Sequence, residues 1–118
     1  MPLKIYQYPK CSTCRKALKF LDANNISYTS IDITEKPPTK TELKQMLKHQ
    51  NGELRKLFNT SGVQYRELKI KDKLPTMSEV EALDLLSQNG KLIKRPFLLS
   101  NTTGFVGFKE DAWSEQLI

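Results

Sequence analysis

Apolar side chains change their spacing several times along these 118 residues, and each change marks an element. Ile5 and Tyr6 open a short β-type segment, which Pro9 stops because proline has no N–H to give to a ladder. From Cys14 the apolar positions become Ala17, Leu18 and Leu21, one face of a 3.6-residue period. A helix is expected there, closed by the polar run Asp22-Ala23-Asn24-Asn25. Ile26 to Ile33 predicts a second strand, with Tyr28, Ile31 and Ile33 as β-formers. In such a β-α-β unit the strands are parallel and the crossover right-handed.

Pro37 and Pro38 break the pattern, and Thr39 begins a helix with Glu42 completing a capping box. Leu43, Met46 and Leu47 form its apolar stripe, while Lys40, Lys44 and Lys48 face water. Asn51-Gly52 is a turn. Short helical pieces are expected over Glu53 to Phe58 and Tyr65 to Leu68, with an exposed charged stretch from Lys69 to Lys73. Ser78 and Glu81 repeat the capping box, and Val80, Leu83 and Leu86 are expected to supply that helix's core face. Asn89-Gly90 ends it. Phe97 to Leu99 is a continuous apolar run, as in a buried strand. A hairpin turn over Ser100 to Gly104 leads to a return strand at Phe105 to Gly107. Glu110 to Leu117 closes the chain as a helix anchored by Trp113 and Leu117. The expectation is one α/β domain over residues 1–118, with residues 1–36 and 74–118 as a βα core and 37–73 as a helical insert.

Charge and composition narrow the classes. No run approaches the ~18 apolar residues of a membrane span. The N-terminus enters the first strand without a signal-like apolar run, and two cysteines two residues apart are poor structural staples, so a cytoplasmic protein is expected. A monomer is expected as well. Net charge is +6, divided as +3 over residues 1–39, +5 over 40–73 and −2 over 74–118. The basic middle could attract nucleic acid, an acidic protein or an anionic substrate, or could be an ordinary solvated surface. No nucleic-acid motif accompanies the charge, so direct nucleic-acid binding is not expected.

The candidate chemistry lies at the first strand–helix turn, Tyr8-Pro9-Lys10-Cys11-Ser12-Thr13-Cys14-Arg15. Cys11 falls at the mouth of the helix, where a partial positive charge and free backbone N–H groups stabilise a thiolate. Lys10 and Arg15 add charge, and the Ser12 and Thr13 N–H groups are candidate donors. Cys14 is on the core-facing side. The pair fits an attacking and a resolving thiol, joined reversibly as a disulfide. The alternatives are two unrelated buried cysteines or half of a zinc site. Zinc would lack ligands, since His49 is the only histidine and no other cysteine exists. No metal is expected.

The whole pattern resembles the arsenate reductase/Spx (ArsC/Spx) family. The resemblance rests on Tyr8 to Ala17, on Tyr65-Arg66-Glu67-Leu68 and on Leu92-Ile93-Lys94-Arg95-Pro96, and it spans Ile5 to Leu117. It implies a thioredoxin-like fold, with Pro96 as a cis-proline facing Cys11. It also implies Arg95 beside Cys11 as an oxyanion-binding or disulfide-sensing residue. Arsenate reductases of the family carry one motif cysteine and three arginines around the arsenate. Here Cys14 is present, and of the arginine set Arg95 alone remains, with Asn59 and Phe108 at the other two positions. Charge-assisted bonds to an oxyanion contribute roughly 1.5–3 kcal/mol each, so this departure argues against arsenate.

Two functions are then implied. One is thiol–disulfide exchange by Cys11, Cys14 and Arg95, with Ser12, Thr13 and Pro96 shaping the site. Its electrons would come from thioredoxin or a low-molecular-weight thiol, without an organic cofactor. The other is a redox-switched regulator, like the Spx branch, that binds the C-terminal domain of the RNA polymerase α subunit. In that case Gly52 stands in the loop resembling the polymerase-contacting one.

Overall fold

The computed structural model describes residues 3–118. β1 (Lys4–Gln7) lies in the middle of a four-stranded sheet of order β2-β1-β3-β4. It pairs in parallel with β2 (Thr29–Asp32) and antiparallel with β3 (Phe97–Leu99), which in turn pairs antiparallel with β4 (Gly104–Val106). Consecutive residues of a strand point to opposite faces, and the register divides the core accordingly. Ile5 is opposite Leu98, and both pack with Ala17, Leu21 and Trp113 against α1 (Ser12–Ala23) and α6 (Glu110–Leu117). Tyr6 is opposite Phe97, and both pack on the other face. Their neighbours there come from α2 (Lys40–His49), α3 (Val63–Glu67), α4 (Ile70–Lys73) and α5 (Glu79–Ser87). Each fully buried Leu, Ile or Phe side chain stabilises the fold by roughly 1.5–3 kcal/mol. This is the expected thioredoxin-like α/β fold, with helices between β2 and α5.

Local chemistry explains the boundaries. Both capping boxes form: Thr39 with Glu42 at α2, and Ser78 with Glu81 at α5. α1 and α2 end alike, with Asn25 (φ 56°) and Asn51 (φ 59°) in the left-handed region. The next amides, of Ile26 and Gly52, bond back to the carbonyls of Leu21 (3.0 Å) and Leu47 (2.9 Å). That tie holds Ile26 to the end of α1, so the second strand begins at Thr29 rather than at Ile26.

Other expectations need correction. Glu53 to Phe58 forms a single 3₁₀ turn, Leu54–Leu57. Lys69 to Lys73 is not a wholly exposed stretch: it contains α4, and Ile70 is buried among the core residues of α2 and α5. Val80 is 75% exposed. The buried face of α5 is defined by Ala82, Leu83 and Leu86, and at about 100° per residue Val80 lies roughly 110° from its centre. Leu117 is half-buried at the edge of the Trp113 cluster.

Candidate functional site: a dithiol at the start of the first helix

β1 delivers the chain to a tight turn in which the Cys11 N–H bonds the Tyr8 carbonyl at 2.9 Å. Cys11 is the N-cap of α1, and its Sγ accepts the Cys14 backbone N–H at 3.3 Å. The amide that reaches the sulfur is thus that of Cys14, while Ser12 and Thr13 occupy the first two helical positions with exposed side chains. Arg15 reaches back to the Pro9 carbonyl at 3.3 Å and so braces the turn.

The two thiols differ sharply in environment. Cys11 is half-buried, and Cys14 has no exposed surface. Burial pushes the Cys14 thiol up to about 12, and the hydrogen bond and charge of Cys11 add to the rise. A hydrogen bond from the Tyr8 backbone and the charge of Arg95 pull the other way without prevailing. Both cysteines are free thiols.

Cys11 opens into a cleft of about 680 Å³. Tyr8, Cys11 and Thr13 form one wall, and Asn59, Ser61, Gly62, Val63, Gln64 and Glu67 another, with Lys91, Lys94 and Arg95 along the edge. The second wall is fixed to that edge by three contacts. Asn59 N–H bonds the Leu92 carbonyl at 2.7 Å, Lys94 N–H bonds the Leu57 carbonyl at 2.8 Å, and Phe58 pairs with Ile93 as an isolated bridge. The Arg95–Pro96 peptide bond is cis, and the Pro96 carbonyl accepts Gly107 N–H at 2.9 Å as β3 begins. The Arg95 guanidinium lies 5.1 Å from the centre of the Tyr8 ring, and the Lys91 ammonium lies 6.0 Å from it.

Cys11, Thr13, Arg95 and Asn59 therefore line one cleft, with Cys14 directly behind Cys11. Gly52 does not line it. Its φ of 78° belongs to the end of α2, and its surroundings are open. Phe108 lies elsewhere too: it packs edge-on against Trp113 with centroids 4.8 Å apart and touches Phe20, on the α1–α6 side. An apolar ring at that position joins the nearest aromatic cluster. The sequence did not single out Lys91, Lys94 or the Tyr8 ring as parts of a site. The available signal was their spacing, one and four residues before Arg95 and three before Cys11.

A buried and an accessible thiol at a strand–helix turn, on a sheet of this order, define a thioredoxin-like protein. The chain belongs to the ArsC family, whose profile matches residues 6–116. It is 50% identical to YusI of Bacillus subtilis (strain 168) over 98% of both chains. It is 31% identical to the global transcriptional regulator Spx of Staphylococcus aureus, covering 91% of this chain and 80% of Spx. Among solved structures, an ArsC family related protein from Bacteroides fragilis superposes with a TM-score of 0.91 at 48% identity, covering 98% of this chain and 97% of that one.

Proposed function

We propose that the protein is a cytoplasmic thiol–disulfide redox protein working through Cys11 and Cys14. The observation that carries this is the hydrogen bond from the Cys14 amide to the Cys11 sulfur, with Cys11 facing a cleft and Cys14 sealed behind it. The Cys11 thiolate attacks one sulfur of a substrate disulfide, forming a mixed disulfide and expelling the other sulfur as thiolate. Cys14 then yields its proton to the thiolate just expelled and attacks the Cys11 sulfur. The Cys11–Cys14 bond forms, and the second substrate thiolate leaves. The substrate gains two electrons and the protein loses two, to be restored by thioredoxin or a low-molecular-weight thiol. Arg95 lowers the cost of the Cys14 thiolate during the second step. The test is equilibration in thiol–disulfide buffers of graded potential, followed by mass. A reversible loss of two hydrogens, absent in Cys11→Ser and Cys14→Ser, is expected. Failure to form the internal disulfide in any buffer overturns the proposal.

A second reading, a redox-switched regulator binding the C-terminal domain of the RNA polymerase α subunit, is favoured by the similarity to Spx and by the open surroundings of Gly52. Capture by that domain would be measured with reduced and oxidised protein, and no capture in either form removes it. Arsenate reduction is disfavoured because Asn59 is neutral and Phe108 is turned into the aromatic cluster. Arsenate-dependent consumption of reductant, lost in Cys11→Ser, would restore it.

A further inference from the structure

The edge of the Cys11 cleft carries an uncompensated charge that sulfur exchange does not itself require. Lys91, Lys94 and Arg95 all line it, against a single carboxylate, Glu67. Three ion pairs form among the described residues, Lys4–Glu42, Lys40–Asp84 and Lys56–Glu53, and none engages these cations. Two of the cations are positioned by one side chain, since the Tyr8 ring has the Arg95 guanidinium at 5.1 Å and the Lys91 ammonium at 6.0 Å. A ring face attracts a cation without neutralising it, so the charge stays available to a ligand. Gln64 adds a second feature. It lines the same cleft, and its Oε1 is buried without a hydrogen-bond donor. A buried acceptor left without a donor costs roughly 1–3 kcal/mol, and a ligand N–H at that point would recover it.

We propose that the cleft selects disulfides that carry carboxylates and amide N–H groups beside the sulfur, with Tyr8 as the positioning residue for Lys91 and Arg95. This rests on the Cys11–Cys14 exchange proposed above. A carboxylate entering the cleft meets Lys91, Lys94 and Arg95 while its sulfur approaches Cys11. A peptide N–H on the same molecule meets Gln64. Two sources supply this chemistry: the disulfide of a small acidic peptide thiol, and a cysteine within an acidic protein segment.

The experiment measures the first exchange on the fully reduced chain by stopped flow. The probes are 5,5′-dithiobis(2-nitrobenzoate), a dianion, neutral 4,4′-dithiodipyridine and cationic cystamine. The readout is the ratio of anionic to neutral rates, which cancels changes in the reactivity of Cys11 itself. Clefts of one sign accelerate association by about 10-fold or more, so Lys91→Ala with Lys94→Ala should lower the ratio by about that factor. Tyr8→Leu should lower it in the same direction, and Glu67→Gln should raise it. Lys44→Ala, on the exposed face of α2 away from the cleft, should leave it unchanged. In 0.5 M salt the ratio of the unsubstituted protein should fall towards that of the double variant, because exposed charges are screened within a few ångströms. A ratio that ignores salt and the lysine substitutions overturns the proposal while leaving the exchange reaction standing. No reaction with any of the three probes removes the exchange reaction itself. Glutathione disulfide and a peptide disulfide flanked by Asp and Glu then separate the two sources by which reacts faster.

Discussion

The phenol of Tyr6 donates a 2.7 Å hydrogen bond to Glu42 and so joins the middle strand of the sheet to the first turn of α2. The same carboxylate caps Thr39 N–H at 3.0 Å and meets Lys4 Nζ at 3.2 Å. Burial alone would push Glu42 up, but the Thr39 amide, the Tyr6 hydroxyl and Lys4 together hold it below its usual 4.5. A carboxyl depressed in the folded state contributes stability above its unfolded pKa and loses it as pH falls through the folded one. Tyr6→Phe should cost about 1.5–3 kcal/mol at pH 7, the range for hydrogen bonds to charged groups. The gap between the two proteins should narrow below pH 4.5 as Glu42 takes up a proton, which urea unfolding at pH 7 and pH 3 would register.

The asymmetry of the two thiols predicts selective alkylation. At pH 8 iodoacetamide should add once to the folded protein, at Cys11, and reach Cys14 only in denaturant. Peptide mapping by mass spectrometry would locate the adduct. A Cys14 thiol held up to about 12 by burial also sets a sign for alkaline stability. Its contribution is complete below pH 9 and is lost as pH rises towards 12.

Gly90 has no room for a side chain. A Cβ there would meet the Ile33 carbonyl oxygen at 1.9 Å, a backbone atom that cannot swing aside. Gly90→Ala should therefore destabilise by about 1–3 kcal/mol, as forced overpacking does. Val80, on the exposed side of α5 itself, gives the contrast: Val80→Lys should change stability by no more than about 0.5 kcal/mol, since the side chain is exposed.

Ser78 caps α5 by accepting the Glu81 N–H at 3.1 Å. Ser78→Ala should cost about 1 kcal/mol, and Ser78→Asp should retain most of the stability. Thermal unfolding of the three proteins compares them directly.

Features written in local chemistry were legible in the sequence. The helix start at Cys11, both capping boxes, the first β-α-β unit and the late hairpin follow from residue type and spacing within a few positions, whereas the pairing of β1 with β3 that joins them does not. Val80 was misplaced because a three-residue spacing to Leu83 fits a helical face, whereas the neighbours α5 packs against, α2 and the turn at Gly90–Leu92, decide which face is buried. Ile70 was hidden by Lys69, Lys71 and Lys73: one apolar side chain among charges carries no periodic signal, yet it is enough to seat α4 on the core. The cleft was half legible. Cys11 and Arg95 stood out by motif, whereas Lys91 and Lys94 gain meaning only when Phe58 pairs with Ile93 and carries Asn59 to Glu67 across from Cys11. Phe108, aligned with an arginine position, folded into the Trp113 cluster instead.

A sulfur atom that caps a helix has its state copied into the peptide group that caps against it. The Cys14 amide proton points at Cys11 Sγ, so its magnetic resonance shift should respond to ionisation, alkylation and disulfide formation one atom away. Because Cys14 is closed to solvent, that single resonance would report the chemistry of the exposed thiol from inside the protein.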